Sequence, residues 1–265
     1  MFVKRVLSAA VLIAIISVAI LFKWAFNIAI MAFIAIALYE FFTMLEKKGI
    51  QSYKYVGIGI GIIIPLSIMF RFELTKKWEL FFIVLMFLFL FLMQFRRRNY
   101  TGVIIDISTT LFGIIYVSWF LSFLIKIRYL PAGAWYLTSV LLITKLGDIG
   151  AYLFGSRFGK TPLMPHISPK KTVEGAIAGL VFSVLGAFAS QSFLPLSTWH
   201  LVALGVSLGI LGQLGDLSES LVKRDCQVKD SGNLLPGMGG MLDELDSLLF
   251  TAPAFYFYLS VMLKS

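Results

Sequence analysis

Apolar residues run through this chain in long unbroken stretches, separated by short polar breaks. Stretches of roughly 17–25 residues recur at about 6–22, 25–45, 55–71, 78–95, 101–125, 130–147, 173–193, 199–220 and 245–263, the length at which a helix crosses the hydrocarbon core of a bilayer. Backbone polar groups in lipid must be satisfied internally, so a spanning segment is either a helix or a strand of a closed barrel. Barrel strands alternate apolar and polar positions over short segments, and these runs do not alternate. The pattern predicts an all-α, polytopic integral membrane protein with about nine transmembrane helices. No internal repeat and no separating linker stands out, so residues 1–265 read as a single membrane domain. Its first part, 1–147, is mainly apolar helices, and 148–265 carries helices with polar loops.

Composition supports this reading. The chain is 59% hydrophobic with 25 Phe, more than the core of a soluble domain of this length requires. The first run follows Lys4 and Arg5 and lacks a small-x-small cleavage site, so it reads as a retained span, not a signal peptide. The net charge of +9 raises the question of a nucleic-acid partner. Its distribution answers in favour of membrane topology. With the N-terminus and the alternate loops on one side, that side receives fifteen basic residues against seven on the other. The richer side, with the anchor Arg96-Arg97-Arg98, is expected to be cytoplasmic in a cell inner or plasma membrane. One cysteine, Cys226, excludes an intrachain disulfide, and His166 and His200 belong to no zinc-like cluster.

Acidic residues are placed unevenly. Nine of the fourteen lie from Asp148 onward. In the first half, Glu40 and Asp106 fall near or inside spans and read as acids close to helix ends, where they are tolerated. The two most polar segments, 148–172 and 217–244, fall on the same predicted cytoplasmic side and can meet there.

Three constellations carry chemistry. In 153-LFGSRFGKT-161 the spacing is one residue short of a phosphate-binding P-loop, and Gly155 and Gly159 read as close-packing positions on a helix. In Ser168-Pro169-Lys170-Lys171-Thr172, proline favours extended backbone at Ser168 and Thr172 is a natural N-cap for the apolar run that follows. Two lysines beside a helix N-terminus suit a phosphate, and they equally suit membrane anchors. Asp216 ends a glycine-rich apolar run (Gly205, Gly209, Gly212, Gly215); the glycines permit close helix approach, and an acid at that depth is a functional candidate.

The third constellation is the block 223-KRDCQVKDSGNLLPGMGGMLDELD-246, with three basic and five acidic residues. Pro236-Gly237 and Gly239-Gly240 mark a tight loop feeding a helix that starts near 241. On that helix Asp243 and Asp246 lie one turn apart on one face, with Glu244 on another. Two such carboxylates call for a cation between them, and hard oxygen ligands beside phosphates favour Mg²⁺. Lys223, Arg224 and Lys229 supply positive charge opposite. With no Ser/His/Asp or Cys/His set, the residues point to metal-assisted phosphoryl or nucleotidyl transfer directly between substrates.

The run Ser220-Leu-Val-Lys223-Arg224-x4-Lys229-Asp230-x-Gly232-x2-Leu235-Pro236-x-Met238-Gly239-Gly240-Met-x-Asp243-Glu244-Leu-Asp246 closely resembles the signature of phosphatidate cytidylyltransferases, the CDP-diacylglycerol synthases. The segment from Asp148 to Gly175 resembles the family's other polar stretch, so the likeness covers about residues 145–250. Two positions depart from it: Met238 stands where the family usually has His, and Glu244 where it has Arg. The resemblance implies that CTP and phosphatidic acid give CDP-diacylglycerol and pyrophosphate, a step of phospholipid biosynthesis. It assigns Asp216, Asp243 and Asp246 to metal binding, with Asp148 as a further acid of the polar cavity and a second, monovalent cation left open. Lys170, Lys171, Lys223, Arg224 and Lys229 would neutralise the triphosphate and the lipid phosphate, and Ser168, Thr172 and Ser220 would add hydrogen bonds. A secondary transporter, or a cytidylyltransferase for another lipid phosphate, are the alternative readings. The glycine-rich helices could pack within one chain or between two, as in a homodimer.

Overall fold

The structure, a computed structural model, describes residues 2–70, 78–96 and 101–263. Arg97 and Arg98 of the expected loop anchor lie outside the described residues. Within them the chain is helical almost throughout: α1 (Phe2–Leu21), α2 (Lys23–Lys47), α3 (Lys54–Met69), α4 (Trp78–Phe95), α5 (Val103–Gly113), α6 (Phe120–Arg128), α7 (Gly133–Phe158), α8 (Val173–Ala189), α9 (Thr198–Asp225) and α10 (Met241–Met262). A π-helical stretch, Ile114–Trp119, joins α5 to α6 into one rod. Each of the nine apolar runs of the sequence therefore falls on a helical rod. Five rods (α2, α5–α6, α7, α9 and α10) are long and apolar enough to cross a membrane, and the other four are shorter apolar helices. The chain is a membrane protein of the all-α class.

The structure adds one element that hydropathy did not predict. Pro162–Met164 (β1) and Ser168–Thr172 (β2) pair antiparallel as a two-stranded hairpin between α7 and α8. Pro169 accounts for part of it by keeping Ser168 extended. Thr172 then ends the strand and caps α8, its hydroxyl accepting from Gly175 N at 3.2 Å. Glu174 in the first turn of α8 accepts from Lys160 N (3.1 Å), Thr161 N (3.2 Å) and the Thr161 hydroxyl (3.0 Å). Both ends of the hairpin are thereby tied to one helix start.

Two boundaries move relative to the sequence reading. Helix α7 continues past 147 to Phe158, so Asp148 sits within a helix; α9 continues past 220 to Asp225, so Lys223 and Arg224 are helical and not part of the following loop. Each extension carries charge, Asp148 and Arg157 in the first and Lys223, Arg224 and Asp225 in the second. Hydropathy stops where charge begins, but the backbone hydrogen bonds of a helix do not.

The core is formed by α2, the α5–α6 rod, α7, α9 and α10. Ile34, Leu38, Phe41, Phe42, Leu121, Val140, Leu248 and Phe255 are all fully or almost fully buried there. Helices α7, α8 and α9 approach closely through small residues. A Cβ placed on Gly175 would lie 3.0 Å from Gly155 Cα and 2.8 Å from the Ala151 carbonyl oxygen, so this crossing tolerates no side chain. The close-packing expectation holds for Gly155 and for Gly159, where an added Cβ would lie 2.6 Å from Thr172 Cγ2, but Gly159 lies just beyond the helix as its C-cap.

Candidate active site

The C-terminal end of α9 and the N-terminal end of α10 meet at one end of the bundle. They are joined by the loop 226–240, in which Gly237 (φ 84°) and Gly239 (φ 114°) occupy the left-handed region. Leu235 N donates to Gly239 O at 2.9 Å, closing the tight turn expected from the Pro-Gly and Gly-Gly pairs. Met238, the first departure from the family pattern, lies half-buried in that turn.

Helix α10 begins at Met241, so Asp243 is in its first turn and Asp246 one turn further. Their surroundings differ. Asp243 Oδ1 takes the Lys223 ammonium at 2.6 Å. Its Oδ2 accepts from Gly240 N (2.7 Å), Ser231 N (3.0 Å) and the Ser231 hydroxyl (2.9 Å). Both oxygens are occupied, and the carboxylate serves as the return half of a capping box. Asp246 is buried, and Ser247 N donates to its Oδ1 at 2.5 Å. The carboxylates of Asp216, Glu219 and Asp148 are the acidic neighbours that act on it.

Helix α9 presents Asp216, Glu219 and Lys223 along one side, at helical spacing. Its close contact with α10 depends on Gly215, where an added Cβ would run into the Asp246 carbonyl. Lys223 bridges Glu219 and Asp243. Glu219 has no exposed surface, and its Oε1 has no hydrogen-bond donor among the described residues. A charged group so buried is costly unless its remaining lone pairs are met. Asp216 is paired with Lys171 of β2 at 2.6 Å, and Arg224 Nε donates to Ile167 O at 3.1 Å. These two contacts fold the hairpin over α9.

Helix α7 completes the wall. Lys145 contacts Asp148 (3.2 Å), the Glu244 carbonyl (3.0 Å) and the Ser247 hydroxyl (3.4 Å). The Ser247 hydroxyl donates to Asp148 at 3.0 Å. Glu244, the second departure, thus contributes its backbone to this junction. The π stretch brings Tyr116, buried, with a hydroxyl that has no hydrogen-bond partner among the described residues; its acidic neighbours are Glu219, Asp246 and Asp216. Such π turns recur at functional sites.

Of the residues singled out in the sequence, Asp148, Lys171, Asp216, Lys223, Asp243 and Asp246 come together here. Ser220 is half-buried on α9 beside Glu219. The Thr172 hydroxyl is used for capping. Ser168 is half-buried on β2, while Lys170 and Lys229 are exposed at the margin and form no ion pair among the described residues. Sequence reasoning missed Glu219, Tyr116 and Lys145. Glu219 carried a signal, an acid in an apolar helix at i+3 from Asp216 and i−4 from Lys223. Tyr116 carried none, since one tyrosine in an apolar run looks like core.

Magnesium can be tested against this set. Among the described residues no three acidic, histidine or cysteine side chains converge as a ready-made cage. Mg²⁺ does not require one, because it usually keeps waters and phosphate oxygens and takes only one or two carboxylates. The orphaned Glu219 oxygen and the crowding of like charges around Asp246 fit such a cation. Asp243 would become a ligand only by giving up Lys223 or its caps.

A model of the cytidylyltransferase family matches residues 3–262. A phosphatidate cytidylyltransferase of Synechocystis is 36% identical to this chain over 98% of it and 97% of the relative. Proteins of the same name from Bacillus subtilis (43% identical over 56% of each chain) and Chlamydia muridarum (42% identical over 61% of this chain and 58% of the relative) match part of the chain. Match length and identity agree with the clustering of carboxylates and lysines at one end of the bundle: the chain belongs to the cytidylyltransferase family.

Proposed function

We propose that this protein is a phosphatidate cytidylyltransferase, a membrane nucleotidyltransferase that moves the CMP unit of CTP onto phosphatidic acid and releases pyrophosphate. The observation that carries this reading is the meeting of Lys171, Lys223 and Lys145 with Asp216, Glu219, Asp243, Asp246 and Asp148 at the ends of apolar helices. There a water-soluble nucleotide and a lipid phosphate can both arrive.

A phosphate oxygen of phosphatidate attacks the α-phosphorus of CTP, and the bond between the α-phosphorus and the bridging α–β oxygen breaks. Pyrophosphate leaves with the electron pair of that bond. Both reactants are polyanions, so their repulsion is the main electrostatic obstacle. Lys170 and Lys171 on β2, Arg224 on α9 and Lys229 in the loop line the approach and offset it. Lys171, released from Asp216 when a triphosphate arrives, exchanges one anionic partner for another. Lys223 holds Asp243 and Glu219 in place and keeps its ammonium near the reacting phosphates. A bound Mg²⁺ would supply Lewis-acid stabilisation of the charge developing on the phosphoryl oxygens; Asp216 and Asp246 would hold it.

The reading places the site on the cytoplasmic face, as the excess of basic residues on that side suggests. The test is phosphatidate-dependent release of pyrophosphate from CTP by the detergent-solubilised protein. Release that is equal without lipid, or with any lipid phosphate in place of phosphatidate, would count against the assignment.

A further inference from the structure

An acid inside an apolar helix must find hydrogen-bond donors or bear the cost of burial. Glu40, on α2, is only 6% exposed, and its donors come from the far end of the sequence. Oε1 accepts from Met241 N at 3.0 Å, and Oε2 accepts from Leu242 N at 2.9 Å. These are the first two N–H groups of α10, which no carbonyl of their own helix can satisfy. An ordinary N-cap side chain would serve one of them, but the N-cap here is Gly240. A Cβ at Gly240 would sit 2.5 Å from Glu40 Oε2, and one at Gly232 would sit 2.8 Å from Glu40 Cδ. The loop has therefore given up local side chains where the distant carboxylate enters.

The contact extends further. The Ser231 hydroxyl lies 3.2 Å from Glu40 Oε2 and 2.9 Å from Asp243 Oδ2. It has one proton and serves one acceptor at a time. Asp243 in turn holds Lys223. A continuous path thus runs from α2 through Ser231 and Asp243 to Lys223 on α9. The partial positive charge of the α10 N-terminus favours the carboxylate in this place.

We propose that Glu40 is a positioning residue for the reaction: it caps α10 from a neighbouring helix and sets the first two turns of α10, with Asp243 and Asp246, against α9. The proposal rests on the cytidylyltransferase reading of the site. Removing one acceptor leaves every reacting group in the chain, so the expected loss is in the rate step and not in nucleotide binding.

The test uses the full-length protein in detergent with three variants: Glu40→Gln, Ser231→Ala and the double variant. Amide hydrogen exchange at Met241 and Leu242 is read beside steady-state kinetics. In Glu40→Gln, exchange at these two amides is expected to accelerate. Its kcat is expected to fall about 10- to 100-fold while KM for CTP stays within about threefold, as a displacement of reacting groups would give. The double variant is expected to be little worse than Glu40→Gln alone, because the two act on one path. Wild-type exchange with wild-type kcat in Glu40→Gln overturns the proposal, and so do fully additive losses. Should Glu40→Gln not fold, Ser231→Ala decides alone: a lowered kcat at unchanged melting temperature supports the proposal and a wild-type kcat overturns it. Should the wild-type protein make no CDP-lipid, the functional reading fails, and exchange at Met241 and Leu242 still decides whether Glu40 holds α10.

Discussion

Lys223 bridges Glu219, which lies wholly inside the protein, and Asp243, which caps the next helix. One ammonium thus joins α9 to α10 across the site. Breaking a buried pair by removing one partner typically costs about 3–5 kcal/mol, because the other charge is left uncompensated. Lys223→Ala is therefore expected to lower the melting temperature in detergent markedly and to abolish turnover. Pairing it with Glu219→Gln should restore much of the stability and none of the activity. Melting and turnover that recover together would show that the ion pair is purely structural.

Asp216 and Asp246 are the carboxylates proposed for Mg²⁺, while Asp243 has both oxygens occupied by the protein. Asp216→Asn and Asp246→Asn are expected to raise the Mg²⁺ concentration needed for half-maximal activity by about tenfold or more, in keeping with the loss of a ligand. Asp243→Asn should lower kcat and stability together and leave the Mg²⁺ requirement nearly unchanged. A shift in Mg²⁺ dependence confined to Asp243→Asn would reverse the assignment. Exhaustive chelation should remove all activity and readdition of Mg²⁺ restore it.

Tyr116 carries a buried hydroxyl without a partner among the described residues, close to three acids of the site. Removing a hydroxyl that makes no internal hydrogen bond is nearly neutral, or stabilising, for the folded protein. Tyr116→Phe is expected to melt at or above the wild-type temperature. If the hydroxyl meets bound substrate, kcat/KM falls about 10- to 100-fold, the worth of a hydrogen bond to a charged group. A variant that melts lower with kcat/KM unchanged would contradict this role.

The crossing of α9 and α10 leaves no room at Gly215, where a Cβ would strike the Asp246 carbonyl. Gly215→Ala is expected to destabilise the protein by about 1–3 kcal/mol through overpacking. It should also depress kcat, because the backbone it displaces carries Asp246. Gly212 has ordinary contact distances of 3.6 Å or more around an added Cβ, so Gly212→Ala serves as the control and should change neither property much.

The helices were legible because a bilayer dictates their length and their apolar character, and each of the nine runs from 6–22 to 245–263 falls on a rod. Their charge-bearing extensions were not: α7 beyond 147 and α9 beyond 220 continue on backbone hydrogen bonds that hydropathy does not see. Asp216, Asp243, Asp246, Lys171 and Lys223 stood out because charge in an apolar chain is conspicuous. What each one touches was not legible. Asp243 and Asp246 share a helix face, yet one is used by Lys223 and the loop backbone and the other is buried among acids. Glu40 looked like an acid near a helix end, and its contacts with Met241 and Leu242 span about two hundred positions, beyond any local pattern.

The central claim is transfer of a cytidylyl group to a lipid phosphate. The most direct measurement is a turnover assay of the purified protein with phosphatidate, Mg²⁺ and CTP labelled either at the α- or at the γ-phosphate. The account predicts label in the extracted lipid from α-labelled CTP only, with all γ-label recovered as pyrophosphate. Lipid label from γ-labelled CTP, or α-label recovered only as water-soluble CMP, would contradict it.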